Sequence, residues 1–92
     1  MLAIKQTKQF KKSLKRLAKQ GKDVTKLFEV VDLLAKQAEL PISFCDHELK
    51  GKWCGVRELY IESDWLLAYH VIEGELVLLL VDTGSHASTL GM

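Results

Sequence analysis

Ninety-two residues, 48% hydrophobic and 27% charged, describe a single small globular domain spanning 1–92. A chain this short buries only roughly two-thirds of the surface its unfolded form exposes, so its core is limited. The longest apolar run, Leu76 to Val81, is far below the roughly 18 residues a membrane-spanning helix needs. The opening Met1-Leu2-Ala3-Ile4-Lys5 has no apolar stretch of the kind that drives secretion, so the expected compartment is the cytoplasm, with Cys45 and Cys54 as reduced thiols. The net charge of +1 conceals a strong asymmetry. Residues 1–26 carry nine basic side chains against one acid, Asp23, whereas the remaining chain carries four basic side chains against eleven acids. A fold that gathers the first group on one surface presents a cationic face to a polyanion or to an acidic protein segment.

In chain order, Leu2 to Lys5 alternates and predicts a first strand. Thr7 is placed to cap a helix whose apolar positions, Phe10, Leu14, Leu17 and Ala18, follow the i, i+4, i+7, i+8 spacing of one face, with lysines on the other. Gly21 ends it. Asp23 caps a second helix with Leu27, Phe28, Val31, Leu34, Ala35 and Ala38 on one side, and Pro41 stops it by Leu40 at the latest. The second half reads as an antiparallel meander. Val56 to Ile61 is a strand, Glu62-Ser63 a turn, Trp65 to Ile72 a long apolar strand, Glu73-Gly74 a two-residue hairpin signal and Glu75 to Val81 the last strand. Apolar residues at both parities of the last two strands require cover on both faces of their sheet. Thr83 to Met92 reads as an irregular tail.

The residues suited to chemistry lie in this second half. His47 and His86 sit in segments bordering the meander, and imidazoles titrating near neutrality suit proton transfer. His70, inside an apolar strand, reads as structural. Glu58 and Tyr60 share one face of their strand, opposite Leu59 and Ile61, and the following hairpin ends in Asp64. The competing reading is an ordinary half-solvated strand with its polar side outward. Cys45, His47, Cys54 and His86 are the side chains from which a metal set could be drawn. Their C-x-H and C-x8-C spacings match no familiar zinc pattern, so neither metal nor cofactor is expected. Phosphate loops and nucleophile elbows are missing from the sequence.

The stretch Asp46-His47-Glu48-Leu49-Lys50-Gly51-Lys52-Trp53-Cys54-Gly55-Val56-Arg57-Glu58-Leu59-Tyr60-Ile61-Glu62-Ser63-Asp64-Trp65-Leu66-Leu67-Ala68-Tyr69 resembles the D-H-x-L-x-G-x-W-x-G-x-R-(D/E)-x-H-(I/V)-x-x-D-W-(I/L)-L-x-Y signature of YafQ-type toxins, within the RelE/ParE superfamily. Thr83-Gly84-Ser85-His86 resembles their T-G-(T/S)-H, and the order of elements agrees along the whole chain. The resemblance implies an α+β, RelE-like domain in which an N-terminal strand and a basic helical hairpin pack on a mainly antiparallel twisted sheet of about four strands. It also implies a toxin that cleaves messenger RNA on the ribosome, held in check by a cognate antitoxin whose complex with it binds operator DNA. The family's functional positions fall on His47, Glu58, Tyr60, Asp64, His86 and Leu90.

Three positions depart from the pattern. Tyr60 replaces a histidine, Leu90 replaces an aromatic that would stack on a base, and Asp82 stands where an arginine commonly precedes T-G. If Asp82 faced the phosphate, its charge would repel it. The expected scheme has His47 and His86 as the proton-transfer pair, Asp64 orienting or supplementing one of them, and Glu58 as a further catalytic candidate. Arg57, Lys50 and Lys52 would hold the phosphate, and Tyr60 and Leu90 would contact the RNA. Two rivals share the fold: a ParE-like gyrase inhibitor, which needs no acid–base pair, and a weakened member acting through antitoxin and operator binding.

Overall fold

The computed structural model describes residues 1–49, 51 and 55–85. Strand β1 (Ala3–Gln6) leads directly into helix α1 (Lys8–Lys19), and helix α2 (Val24–Ala35) follows after a short turn. Beyond a 3-10 turn at Ile42–Phe44 come β2 (His47–Glu48), β3 (Arg57–Glu62), β4 (Trp65–Ile72) and β5 (Val77–Gly84). The five strands form one sheet in the order β1-β5-β4-β3-β2. Only the β1–β5 pair is parallel; the others are antiparallel. The α+β class agrees with expectation, and the sheet has one strand more than expected. The additional strand, β2, is two residues long, too short for period-2 alternation to reveal.

The helix ends obey local chemistry. Thr7 caps α1, its hydroxyl accepting from the Phe10 amide at 3.0 Å, and the same hydroxyl donates to the Val81 carbonyl at 2.6 Å, pinning the helix start to β5. Gly21 takes the left-handed conformation (φ 84) that the hairpin turn requires. Asp23 caps α2 by accepting from the Thr25 amide. That helix ends at Ala35, before Pro41 can act, because Gln37 adopts φ 58. In the last hairpin Glu73–Glu75 form a 3-10 turn with Leu76 left-handed, so β5 starts later than expected and runs on through Thr83 and Gly84.

Phe10 and Leu17 of α1 and Leu27, Val30, Val31, Leu34 and Ala35 of α2 bury against Leu59, Trp65, Leu67, Tyr69, Leu78 and Leu80 of the sheet. Leu66 and Ala68, on the other parity of β4, are also fully buried, so that strand is covered on both faces. Three expectations about the helix faces are corrected. Ala18, Phe28 and Ala38 are exposed, the last beyond the end of α2, while Ser13 and Val30 are buried.

Ser13 is buried because it has a polar partner: its hydroxyl donates to Asp82 Oδ1 at 2.6 Å, and the Thr83 amide donates to the same oxygen at 2.8 Å. Asp82 is 3% exposed. The expectation that it faces a phosphate is therefore replaced by an interior role. Val81 is the extra residue of a β-bulge, Ala68 pairing with Asp82 and Tyr69 with Leu80, and a bulge breaks the alternation from which side-chain direction is read.

Ser13→Ala should destabilise the protein by about 1–3 kcal/mol, the cost of removing a partner from a buried acceptor. At roughly 4–8 °C per kcal/mol for a domain of this size, the shift is readily measured by thermal denaturation. Asp82→Arg should cost more, since it sets a cation in the same buried position. A melting temperature equal to wild type in either variant would contradict this assignment.

Candidate active site

The chain reaches the site through a sharp local turn. Pro41 leads the 3-10 turn, Cys45 adopts φ 50, and β2 then lies antiparallel to β3 with His47 opposite Glu58 and Glu48 opposite Arg57. The Leu49 amide donates to the Val56 carbonyl at 2.8 Å, closing the pair toward the loop that joins them. On β3, Leu59 and Ile61 face the helices. Glu58 and Tyr60 therefore project to the other side.

There His47 Nε2 lies 3.6 Å from Glu58 Oε1. The His47 side chain is 47% exposed and Glu58 only 2%. His47 Nδ1 is 2.7 Å from the Cys45 carbonyl. A carbonyl only accepts, so Nδ1 carries the proton of that bond and Nε2 is the nitrogen turned to Glu58. Glu58 Oε2 is buried with no hydrogen-bond partner among the described residues. A carboxylate taken out of water without full pairing is costly, by several kcal/mol in general. This removes the reading of β3 as a strand with a merely solvated polar face.

Arg57 takes the opposite face. Its Nε lies 3.3 Å from both carboxylate oxygens of Asp46, and its Nη2 donates to Asp46 Oδ2 at 3.2 Å. Tyr69, opposite Arg57 on β4, donates its hydroxyl to Asp46 Oδ1 at 2.5 Å. Burial first, and the adjacent Asp46 carboxylate second, push the Tyr69 phenol well above its ordinary pKa. The trio lines a groove of about 690 Å³ that continues along Leu34, Pro41 and Val71.

Asp64 lies at the far end of β3, in the turn to β4, and lines a smaller cavity of about 310 Å³ with Arg16, Lys22, Gly84 and Ser85. Tyr60 is half-buried and pairs with Leu66, which in turn pairs with Gly84. Trp65, next to Asp64, donates its indole N–H to the Thr83 hydroxyl at 3.0 Å, and that hydroxyl donates to the Leu66 carbonyl at 2.8 Å. Lys22 Nζ sits 5.7 Å from the centre of the Trp65 ring. His70 has the structural role expected of it, with Nδ1 donating to the Gly55 carbonyl. Gly55 itself sits at φ +92, and an added Cβ would come within 3.1 Å of the His70 ring.

Of the expected site residues, the structure brings His47 and Glu58 together, sets Tyr60 on the same face of β3, and places Asp64 beside the end of β5. Arg57 stands on the other face. Lys50, Lys52, His86 and Leu90 lie outside the described residues. Among the described residues, no three His, Cys, Asp or Glu side chains gather into a metal-ligand set. No described helix is long and apolar enough to cross a membrane. Asp46 and Tyr69 are the site residues that sequence reasoning misses. The available signal was that each stands in the motif with a charged or hydroxyl-bearing group and that adjacent strand residues face opposite ways.

A helical hairpin on one side of a small mixed sheet is a RelE-like arrangement, here with an acid–imidazole pair on the other side. Residues 2–91 match the family model of the YafQ bacterial toxin of type II toxin–antitoxin systems. The chain belongs to that family. It is 35% identical over 89 residues to the mRNA interferase toxin YafQ of Escherichia coli (strain K12), covering 96% of this chain and 95% of that protein. Among solved structures, a metal-bound toxin from Helicobacter pylori superposes with a TM-score of 0.91 at 40% identity, covering 97% of this chain and 99% of that one. The E. coli DinJ–YafQ complex matches with a TM-score of 0.88 at 34% identity, covering 99% of this chain and 100% of the matched chain.

The Tyr69 phenol should resist ionisation. In a Tyr60→Phe variant, which leaves Tyr69 as the single tyrosine, phenolate absorbance near 295 nm should not appear at pH about 10, the ordinary midpoint. Because the folded pKa is raised, the stability this group contributes is present below that pH and falls away as pH rises past it. A midpoint at the ordinary phenol value in the folded protein would refute the buried Tyr69–Asp46 contact.

Proposed function

We propose that this toxin is a metal-independent endoribonuclease that cleaves messenger RNA on the ribosome and so halts translation. The observation that carries the reading is the buried Glu58 carboxylate, whose Oε1 lies 3.6 Å from the exposed His47 Nε2 and whose Oε2 has no partner among the described residues. Family membership and likeness to a relative named an mRNA interferase support it.

Cleavage of this kind uses the RNA's own 2′-hydroxyl as nucleophile. A base removes its proton, the phosphorane gathers negative charge, and an acid protonates the departing 5′-oxygen. Each positioned proton-transfer group contributes roughly 10²- to 10⁴-fold, and preorganised positive charge adds a comparable electrostatic term. His47 and His86 form the transfer pair. Glu58 faces the His47 ring, and Asp64 orients or supplements one member of the pair. Tyr60, on the Glu58 face of β3, offers a hydrogen bond to the RNA, and Leu90 an apolar contact. For the phosphate, Arg57 already has Asp46 as partner, so the charge falls to Lys50 and Lys52, which the sequence sets between β2 and β3. Arg16 and Lys22 add positive charge beside Asp64.

Helix α1 exposes Lys8, Lys11, Lys12, Lys15 and Lys19, a cationic surface suited to ribosomal RNA, since phosphate contacts fix position without reading sequence. The likeness to the DinJ–YafQ complex supports a cognate antitoxin as partner. Operator DNA would be reached only through that complex, and the site of action is the cytoplasm, where the ribosomes are. Asp82 lends the weakened-member alternative no support, because it is interior and repels nothing at the site.

Expressed without its antitoxin, the protein should arrest growth, and primer extension should find cuts only in translated messages. His47→Ala and His86→Ala should each lower cleavage by roughly 10²- to 10⁴-fold while the fold persists. Wild-type cutting by both variants would move the chemistry elsewhere. Cleavage should also survive EDTA in an assay whose ribosomes are kept intact by excess magnesium, with residual transition metals chelated. Its abolition there would overturn the side-chain mechanism, and the metal-bound Helicobacter pylori relative makes that measurement a necessary one.

A further inference from the structure

We infer that Asp46, Arg57 and Tyr69 are positioning residues for the His47–Glu58 pair: their clamp on the helix side of the sheet holds the β2–β3 register that sets His47 against Glu58 on the opposite side. The inference rests on the proposed function, in which that pair takes part in cleavage.

The pairing needs such a device. Strand β2 is two residues long and joined to β3 by two residue pairs and the Leu49–Val56 hydrogen bond. A strand so short specifies its register weakly, and a slip of one residue turns every side chain to the other face. For His47 such a slip removes the imidazole from Glu58 altogether. Asp46, the residue before β2, is anchored at both carboxylate oxygens by Arg57 of β3 and by the Tyr69 hydroxyl of β4. Charge-assisted bonds of this kind are stronger and more directional than neutral ones. The clamp thus ties β2 to two strands at once, immediately beside the catalytic candidates on both: Asp46 precedes His47, and Arg57 precedes Glu58.

The clamp also reaches the histidine's tautomer. The carbonyl that accepts from His47 Nδ1 belongs to Cys45, the neighbour of Asp46. Holding Asp46 holds that carbonyl, and with it the orientation of Nε2. Arg57 and Asp46 are 38% and 25% exposed, so the ion pair is partly solvated and contributes modestly to stability. Its loss is expected to act on geometry more than on folding. A misplacement of about 1 Å at a reacting group costs on the order of 100-fold in rate.

The test measures single-turnover cleavage of a translated message at saturating ribosomes for Asp46→Asn, Arg57→Gln, Tyr69→Phe, His47→Ala, and the Asp46→Asn and Arg57→Gln changes in the His47→Ala background. Each clamp variant should lose about 10- to 100-fold in maximal rate, with the half-saturating ribosome concentration moved by less than about 3-fold. In the His47→Ala background the same changes should cost almost nothing further, because residues acting through one group are non-additive. A loss that persists undiminished in that background would overturn the clamp, and for Arg57 would mean direct contact with the phosphate. A second readout is independent of activity: the His47 Nδ1–H resonance, expected in the wild-type ¹⁵N spectrum, should broaden or vanish in Asp46→Asn. Its persistence unchanged overturns the inference even if cleavage falls. Wild-type cleavage by His47→Ala would sink the catalytic reading instead, and the resonance alone then decides the clamp.

Discussion

Strand β4 is buried on both of its faces, and the rest of the molecule follows from that constraint. Trp65, Leu67 and Tyr69 point to the helices while Leu66 and Ala68 point the other way, and all five are essentially inaccessible. A strand with apolar residues at both parities cannot lie at the edge of a small sheet. It takes the centre, with β3 and β5 as antiparallel neighbours, and its helix side must be covered by an amphipathic layer. The hairpin of α1 and α2 supplies that layer and leaves its lysines outward.

The same alternation divides labour across β3. Leu59 and Ile61 anchor the strand in the core, and Arg57 on that side meets Asp46 and Tyr69. Glu58 and Tyr60 emerge on the other face, where β2 delivers His47. One strand six residues long thus carries core packing, an ion-pair clamp and the candidate acid–base site without conflict. The buried Glu58 is an exception to good packing practice, since its Oε2 has no partner among the described residues. An unsatisfied buried polar atom of this kind calls for a functional explanation.

The two departures that can be followed into the structure have different meanings. Tyr60 keeps its place on the Glu58 face of β3, so the substitution of a histidine by a phenol changes the chemistry available without changing the architecture. Asp82 does not stay at the site at all. Its carboxylate is taken up by Ser13 and the Thr83 amide, and this pairs an acid in β5 with a hydroxyl on α1. At this position a change that looks damaging to catalysis is part of how the helix is fastened to the sheet.

Amino-acid order alone determined the features governed by local rules. The caps at Thr7 and Asp23, the stop at Gly21 and the bounds of β4 follow from side chains acting within a few residues, and period-2 alternation separated Glu58 and Tyr60 from Leu59 and Ile61. The long motif determined the family and singled out the candidate site residues. Tertiary structure decided whatever depends on partners distant in sequence. The two-residue β2 exists because β3 is there to pair with it. Ser13 rather than Ala18 is buried on α1 because Asp82, far along the chain, offers it an acceptor. The direction of Asp82 lies beyond a bulge, where alternation no longer applies, and the Asp46–Arg57–Tyr69 contact joins a loop to two strands. Such interactions are set by three-dimensional packing, and no periodicity in the sequence encodes them.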